Sequence, residues 1–208
     1  MSSFVFKGAI FDLDGVITNT AEVHSKAWKK TFDAFLKKRA EETQTQFVPF
    51  TNEGDYIPFV DGKPRYEGVK SFLESRNFDL PFGDVSDAPG KETVCGIGNS
   101  KNDAFRSVII EEGIEVFETT IKLVKEFLAK GIKVGVASSS MNCRFILEES
   151  GLIDLFETVV AGIRSKELDL KGKPAPDIFI TAAKELGLEP NDCVMVEDAI
   201  SGVQAGRN

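Results

Sequence analysis

The sequence predicts an α/β protein, a Rossmann-like three-layer parallel-sheet core interrupted by an inserted helical cap. Three observations predict it. After Gly113, apolar runs of strand length alternate with amphipathic helices, the pattern of parallel strands joined by crossover helices. Near the start, a further apolar run ends in two carboxylates and a glycine, Asp12-Leu13-Asp14-Gly15. Between these regions the chain carries helical periodicity and clusters of turn residues but no regular strand pattern. The expected division is a core domain of residues 1–19 and 113–208 and a cap of residues 20–112.

Lys7 to Asp12 reads as a buried strand, and Thr20 to about Lys38 as an amphipathic helix. That helix has Trp28, Phe32, Phe35 and Leu36 on one face and Lys29, Lys30, Asp33 and Lys37 on the other. From about Phe47 to Lys101, the stretches Asn52-Glu53-Gly54-Asp55, Asp61-Gly62-Lys63-Pro64 and Phe82 to Gly90 punctuate short helical pieces. A helix is expected over Lys101 to Glu112. The alternation that follows gives helix Thr119 to Lys130, strand Lys133 to Ala137, helix Cys143 to Ser150 and strand Thr158 to Ala161. Helix Asp177 to Leu186, strand Cys193 to Val196 and a helix from Ala199 complete it.

Composition removes several functions. The 208 residues carry 25 Lys and Arg against 33 Asp and Glu, a net charge of −8, which argues against a surface that neutralises nucleic-acid phosphates. An anionic small molecule would need a local cationic pocket. No run approaches the length of a membrane span, and the first residues lack the pattern of a secretion signal, so a cytoplasmic protein is expected. Cys95, Cys143 and Cys193 show no C-x-x-C spacing, so they are expected reduced and mostly buried, with neither disulfides nor zinc. The segment Gly96-Ile97-Gly98-Asn99 is not a dinucleotide fingerprint, because no strand precedes it and no third glycine follows in place.

Ligands of parallel sheets bind at the carboxyl ends of the strands, and each polar signal falls on such an end. Asp12 and Asp14, two residues apart on an extended chain, address one side together. Ser138-Ser139-Ser140 follows the second strand, Lys173-Pro174-Ala175-Pro176-Asp177 precedes a helix, and Glu197-Asp198 follows the last strand. Each alone reads as an ordinary turn, helix entry or solvated pair. Together, in this order, they suit phosphoryl transfer, which needs an in-line nucleophile, neutralisation of the phosphoryl oxygens and a proton for the leaving oxygen. Asp12 supplies the first and Asp14 the last. Ser138 and Lys173 offer a hydroxyl and a point charge. Carboxylates converging at Asp12, Glu197 and Asp198 would repel one another unless a cation sat among them, and Mg²⁺ suits that oxygen set.

These four segments resemble the four motifs of the haloacid dehalogenase superfamily of phosphotransferases, over nearly the whole core. The insert resembles a C1-type helical cap. Phe11 to Trp28 with His24, Gly62-Lys63-Pro64-Arg65 and Lys101-Asn102-Asp103 are similar to the β-phosphoglucomutase-like subfamily. The resemblance implies that Asp12 is a nucleophile forming an aspartyl phosphate and Asp14 the general acid and base. Mg²⁺ would be held by Asp12, the Asp14 carbonyl, Glu197 and Asp198. Ser138, Ser139 and Lys173 would hold the transferring phosphate. Substrate binding would fall to His24, Trp28, Gly62, Lys63, Arg65, Lys101, Ser140 and Asn142: Arg65, Ser140 and Asn142 would grip the non-transferring phosphate, His24 and Lys101 would couple cap closure to Asp14, and Trp28 would line the sugar pocket.

The implied activity is interconversion of β-glucose 1-phosphate and glucose 6-phosphate, primed by glucose 1,6-bisphosphate, in a monomer without nucleic-acid or membrane partners. The alternative is a sugar-phosphate phosphatase, identical until water accepts the phosphoryl group. A non-catalytic relative is disfavoured by the retained Asp12, Asp14, Lys173 and Asp198. There are three departures from the subfamily pattern: Met141 stands where a lysine is frequent, Asn19 replaces an acidic residue, and the sequence ends one helix after the last motif, so an exposed sheet edge is expected.

Overall fold

The structure, a computed structural model, describes residues 6–61 and 63–208. In chain order the elements begin with β1 (Gly8–Phe11), β2 (Thr18–Asn19), α1 (Ala21–Thr43), a π-helical turn (Asn52–Tyr56), α2 (Ile57–Phe59), α3 (Arg65–Ser75) and α4 (Val94–Glu112). Next come β3 (Glu115–Val116), α5 (Glu118–Ala129), β4 (Lys133–Ala137), α6 (Cys143–Glu149), β5 (Thr158–Val160) and α7 (Gly162–Glu167). Helix α8 (Asp177–Glu185), β6 (Cys193–Val196) and α9 (Ile200–Arg207) follow. They fall into two compact units, one comprising the residues through Ala21 with Gly113–Asn208, the other Glu22–Glu112.

In the first unit, four parallel strands run in the order β5-β4-β1-β6. Successive residues of a strand face opposite sides, and β1 shows both: Ile10 packs with Ile178, Phe179 and Ala182 of α8, while Phe11 lies 6.3 Å from the ring of Phe127 on α5. Helices therefore cover both faces, and the apolar four-residue run Gly8–Phe11 is buried throughout because no face of it meets water. Strand β6 forms one edge of the sheet, with its residues half-exposed. The three cysteines are free thiols, Cys95 and Cys143 buried and Cys193 half-buried.

The second unit is built on an aromatic core. Phe32 stacks on Trp28 at 5.1 Å and meets Phe50 and Phe72 at 5.0 and 4.0 Å between ring centroids. Beside this core Asp55 is buried and receives Nε and Nη2 of Arg76 at 3.0 and 2.7 Å. Its other oxygen accepts the Thr51 N–H, and the Thr51 hydroxyl in turn receives the Gly54 N–H, which starts the π turn. Burial opposes ionisation of Asp55, but Thr51 and Arg76 hold its carboxyl below the usual range.

Four details differ from the sequence reading. Helix α1 continues past Lys38 to Thr43, with Ala40 buried and Arg39 paired to Glu42 and Glu92. Helix α4 starts at Val94 rather than Lys101; Thr93 accepts the Gly96 N–H at its start, and the glycines that lower helix propensity concealed the first turns. The six-residue α7 and the two-residue antiparallel ribbon β2–β3 are too short to show a period. Among the described residues, no helix is long and apolar enough to cross a membrane.

Candidate active site

Pairing of β1 with β6 continues one residue beyond the strands, where the Asp12 N–H donates to the Val196 carbonyl at 2.9 Å. This brings Asp12 to the strand tip beside Glu197 and Asp198, which directly follow β6. Lys173 sits in the turn before α8, its Nζ 2.7 Å from Asp12 Oδ1 and 2.6 Å from Glu197 Oε2. All three side chains are nearly dehydrated, at 9% exposure for Lys173, 8% for Asp12 and 1% for Glu197, so the ammonium balances charge that water does not reach. Burial pushes the Asp12 carboxyl up to about 7 against the pull of Lys173, with Glu197 and Asp14 adding to the rise. Burial works against the charge on Lys173, but Asp12 and Glu197 together raise its pKa.

Carboxylate oxygens of Asp12, Glu197 and Asp198 lie within 4.8 Å of one another. A Mg²⁺ ion with bonds of about 2.1 Å needs ligand oxygens no more than about 4.2 Å apart, so small side-chain rotations suffice. The donors are all hard oxygens. When ionised, three carboxylates against one ammonium leave two negative charges, the charge a divalent cation would cancel. The set therefore fits Mg²⁺.

The turn between Asp12 and β2 is wound about one carbonyl: Leu13 O accepts the N–H groups of Ile17 and Thr18 at 2.9 and 3.0 Å. Gly15 holds φ at +80°, and the Asp198 carboxylate lies where its Cβ would be. A side chain at 15 would displace the acid. Thr20 donates its hydroxyl to Asp14 Oδ1 at 2.5 Å. Ser138 is buried at the tip of β4 and its hydroxyl accepts the Ser140 N–H at 3.1 Å; Ser140 in turn accepts the Asn142 N–H at 3.3 Å. Ser139 is exposed, while Ser140 and Asn142 are half-buried. Cys143 follows, its thiol pushed strongly up by burial and by Asp14 and Asp12.

In the second unit, α1 and α4 bring His24, Trp28 and Lys101 together. Lys101 is 6% exposed, with Nζ 2.7 Å from His24 Nδ1 and over the rings of Phe105 and Trp28 at 4.8 and 5.3 Å. An ammonium only donates, so His24 accepts at Nδ1 and, when neutral, carries its proton on Nε2. Burial, then Lys101 and Arg65, hold the imidazole down at about 3. His24 also stacks on Phe105 at 4.6 Å. Arg65 opens α3, its Nη2 3.2 Å from Asn102 Oδ1. Trp28 is buried in the aromatic core. Lys63 is exposed and donates to Ser71 at 2.6 Å, and Gly62 lies outside the described residues.

Sequence reasoning passed over Thr20, although it stands directly before α1, and Phe105, although it lies one turn beyond Lys101 on α4. Their contacts with Asp14 and His24 are made across chain segments, which no local pattern encodes.

A family model for haloacid dehalogenase-like hydrolases matches residues 6–208. The chain is 45% identical over 201 residues to a β-phosphoglucomutase of Mycobacterium tuberculosis (strain CDC 1551 / Oshkosh), an alignment covering 97% of this chain and 77% of that protein. It is 34% identical over 200 residues to a β-phosphoglucomutase of Bacillus subtilis (strain 168), covering 96% and 78%. A crystal structure of β-phosphoglucomutase from Clostridium difficile superposes with a TM-score of 0.67 at 27% identity, covering 98% of this chain and 81% of that one.

Proposed function

The chain belongs to the haloacid dehalogenase-like hydrolase family, and from that premise we propose that it is a Mg²⁺-dependent phosphotransferase acting on a sugar phosphate, working as a β-phosphoglucomutase. The observation that carries this is the buried Lys173 bridging Asp12 and Glu197 at the strand tips, with Asp198 completing an acidic set. The similarity to two named β-phosphoglucomutases at 45% and 34% identity supports the choice of sugar phosphate.

In this reading Asp12 attacks the phosphoryl group in line and becomes an aspartyl phosphate. Lys173 neutralises a phosphoryl oxygen once the phosphate draws it from the carboxylates, and Ser138, with Ser139 beside it, donates to another. Asp12, the Asp14 carbonyl, Glu197 and Asp198 would hold Mg²⁺, which when bound would supply charge neutralisation for the transferring group. Asp14 protonates the leaving oxygen and later takes the proton of the attacking hydroxyl, and Thr20 fixes its carboxylate meanwhile. Recognition of the sugar phosphate is assigned to Ser140 and Asn142 in the first unit and to His24, Trp28, Gly62, Lys63, Arg65 and Lys101 in the second. Glucose 1,6-bisphosphate primes Asp12.

Phosphatase action is the second reading, favoured by the hydrolase family itself. Phosphorus NMR of the protein with Mg²⁺, β-glucose 1-phosphate and a trace of glucose 1,6-bisphosphate separates the two. Glucose 6-phosphate that disappears in Asp12→Ala is the expected result. Release of inorganic phosphate without isomerisation would replace the mutase with a phosphatase.

A further inference from the structure

Arg65 stands on the first turn of α3, where a long side chain has many rotamers available. The structure restricts it from one helix. On α4, Gly98, Asn99 and Asn102 occupy positions i, i+1 and i+4, one continuous face. A Cβ on Gly98 would come within 2.7 Å of Tyr66 Cδ1 and 3.3 Å of Arg65 Cδ, so the glycine makes a notch in which this turn of α3 lies. Asn99 accepts the Tyr66 hydroxyl at 3.0 Å and fixes the depth of the docking. Asn102 then accepts Arg65 Nη2 at 3.2 Å, while the guanidinium lies 6.0 Å from the Tyr66 ring centroid. The next residue back from Asn102 is Lys101, the buried cation bonded to His24. One helix thus sets the place of both cations.

We propose that Asn102, working through the Gly98 notch, is a positioning residue that aims Arg65 at the non-transferring phosphate of the substrate. The inference rests on the reading of Arg65 as the group that grips this phosphate. With one Nη2 hydrogen committed to Asn102, rotation of the fork is restrained, and the donor edge that Nη2's second hydrogen shares with its neighbouring nitrogen is preset for the anion; ordering the arginine beforehand removes that entropy from the binding step.

The test is steady-state kinetics on β-glucose 1-phosphate, primed with glucose 1,6-bisphosphate, for Arg65→Ala, Asn102→Ala, Asn102→Asp and the Arg65→Ala/Asn102→Ala pair. Each variant is first checked by thermal unfolding. Loss of one hydrogen bond to a charged group predicts a KM about tenfold higher in Asn102→Ala, with kcat changed less than about threefold. Asn102→Asp, which keeps the acceptor, restores KM to within about threefold. In the Arg65→Ala background, removal of Asn102 adds nothing further. Gly98→Ala reproduces the KM effect if it folds, and the Asn102 series decides if it does not. A raised KM in Arg65→Ala with a normal KM in Asn102→Ala overturns the positioning role alone. A normal KM in Arg65→Ala overturns the reading of Arg65 itself, and the inference falls with it. Failure of Asn102→Asp to rescue, or full additivity in the pair, reduces Asn102 to packing.

Discussion

Gly15 and His24 show how much of the local structure can rest on a single residue. At Gly15 a positive φ and the close approach of Asp198 act together. Gly15→Ala is expected to lose about 1–3 kcal/mol of stability from backbone strain. Because the added methyl also moves Asp198, turnover should fall by about 10- to 100-fold even at saturating Mg²⁺. Denaturant titration and kinetics on the same preparation check both; wild-type turnover would detach Asp198 from the reaction. His24 is held neutral to about pH 3 in the folded protein, against 6.5 for the free side chain. The unfolded chain therefore takes up the proton first, so the stabilisation is complete above pH 6.5 and is lost as pH falls toward 3. Urea unfolding followed between pH 7 and pH 4 should show a steeper loss of stability in wild type than in His24→Gln. Equal slopes would mean that His24 is protonated in the native state.

At the level of elements, the π turn and α3 are tied by an ion pair. Asp55 is 5% exposed at its side chain and depends on Arg76, so Arg76→Ala leaves a buried carboxylate with only Thr51. The expected loss is about 3 kcal/mol, read by hydrogen exchange as lost protection within Glu22–Glu112, while β1 and β4 keep theirs. Uniform loss across both units would show that they unfold as one. Arg76 also shows the limit of reading a sequence. Strands β4 and β6 were legible residue for residue, since continuous apolar runs between turn residues have few other uses. The convergence of Asp12, Glu197 and Asp198 was legible too, because a parallel sheet gathers strand ends whatever the intervening sequence. By contrast, the Asp55–Arg76 pair and the Thr20–Asp14 bond depend on where segments without a period come to rest. The start of α4 was hidden for a different reason: Gly96 and Gly98 read locally as loop, and only the packing of Tyr66 against Gly98 explains the second of them in a helix.

Across the whole molecule, the two units differ in how their contacts are distributed along the chain. The aromatic core of Glu22–Glu112 closes within one continuous segment. Strand β1, in contrast, pairs Gly8 with Lys133 and with Cys193, so its ladders join residues more than a hundred positions apart. Long loops must close before those pairings return any stabilisation, which slows them. In pulsed hydrogen exchange during refolding, amides of α1 and α4 should therefore gain protection before those of β1. Simultaneous protection, or β1 first, would contradict this.

The place of β1 between β4 and β6 has a further consequence on the ribosome. Asp12 is made early, yet its partners Lys173 and Glu197 emerge more than 150 residues later. At about 5–20 residues per second, that interval is roughly 10–40 s of synthesis. Until Lys133–Ala137 has emerged to pair with it, the segment that will become β1 is an unpaired apolar run with a solvated aspartate at its end. The strand-tip cluster of Asp12, Lys173 and Glu197 is therefore absent from a nascent chain until the last of the three has been made. While it is unpaired, the apolar run is a target for chaperones and for pairing with other chains.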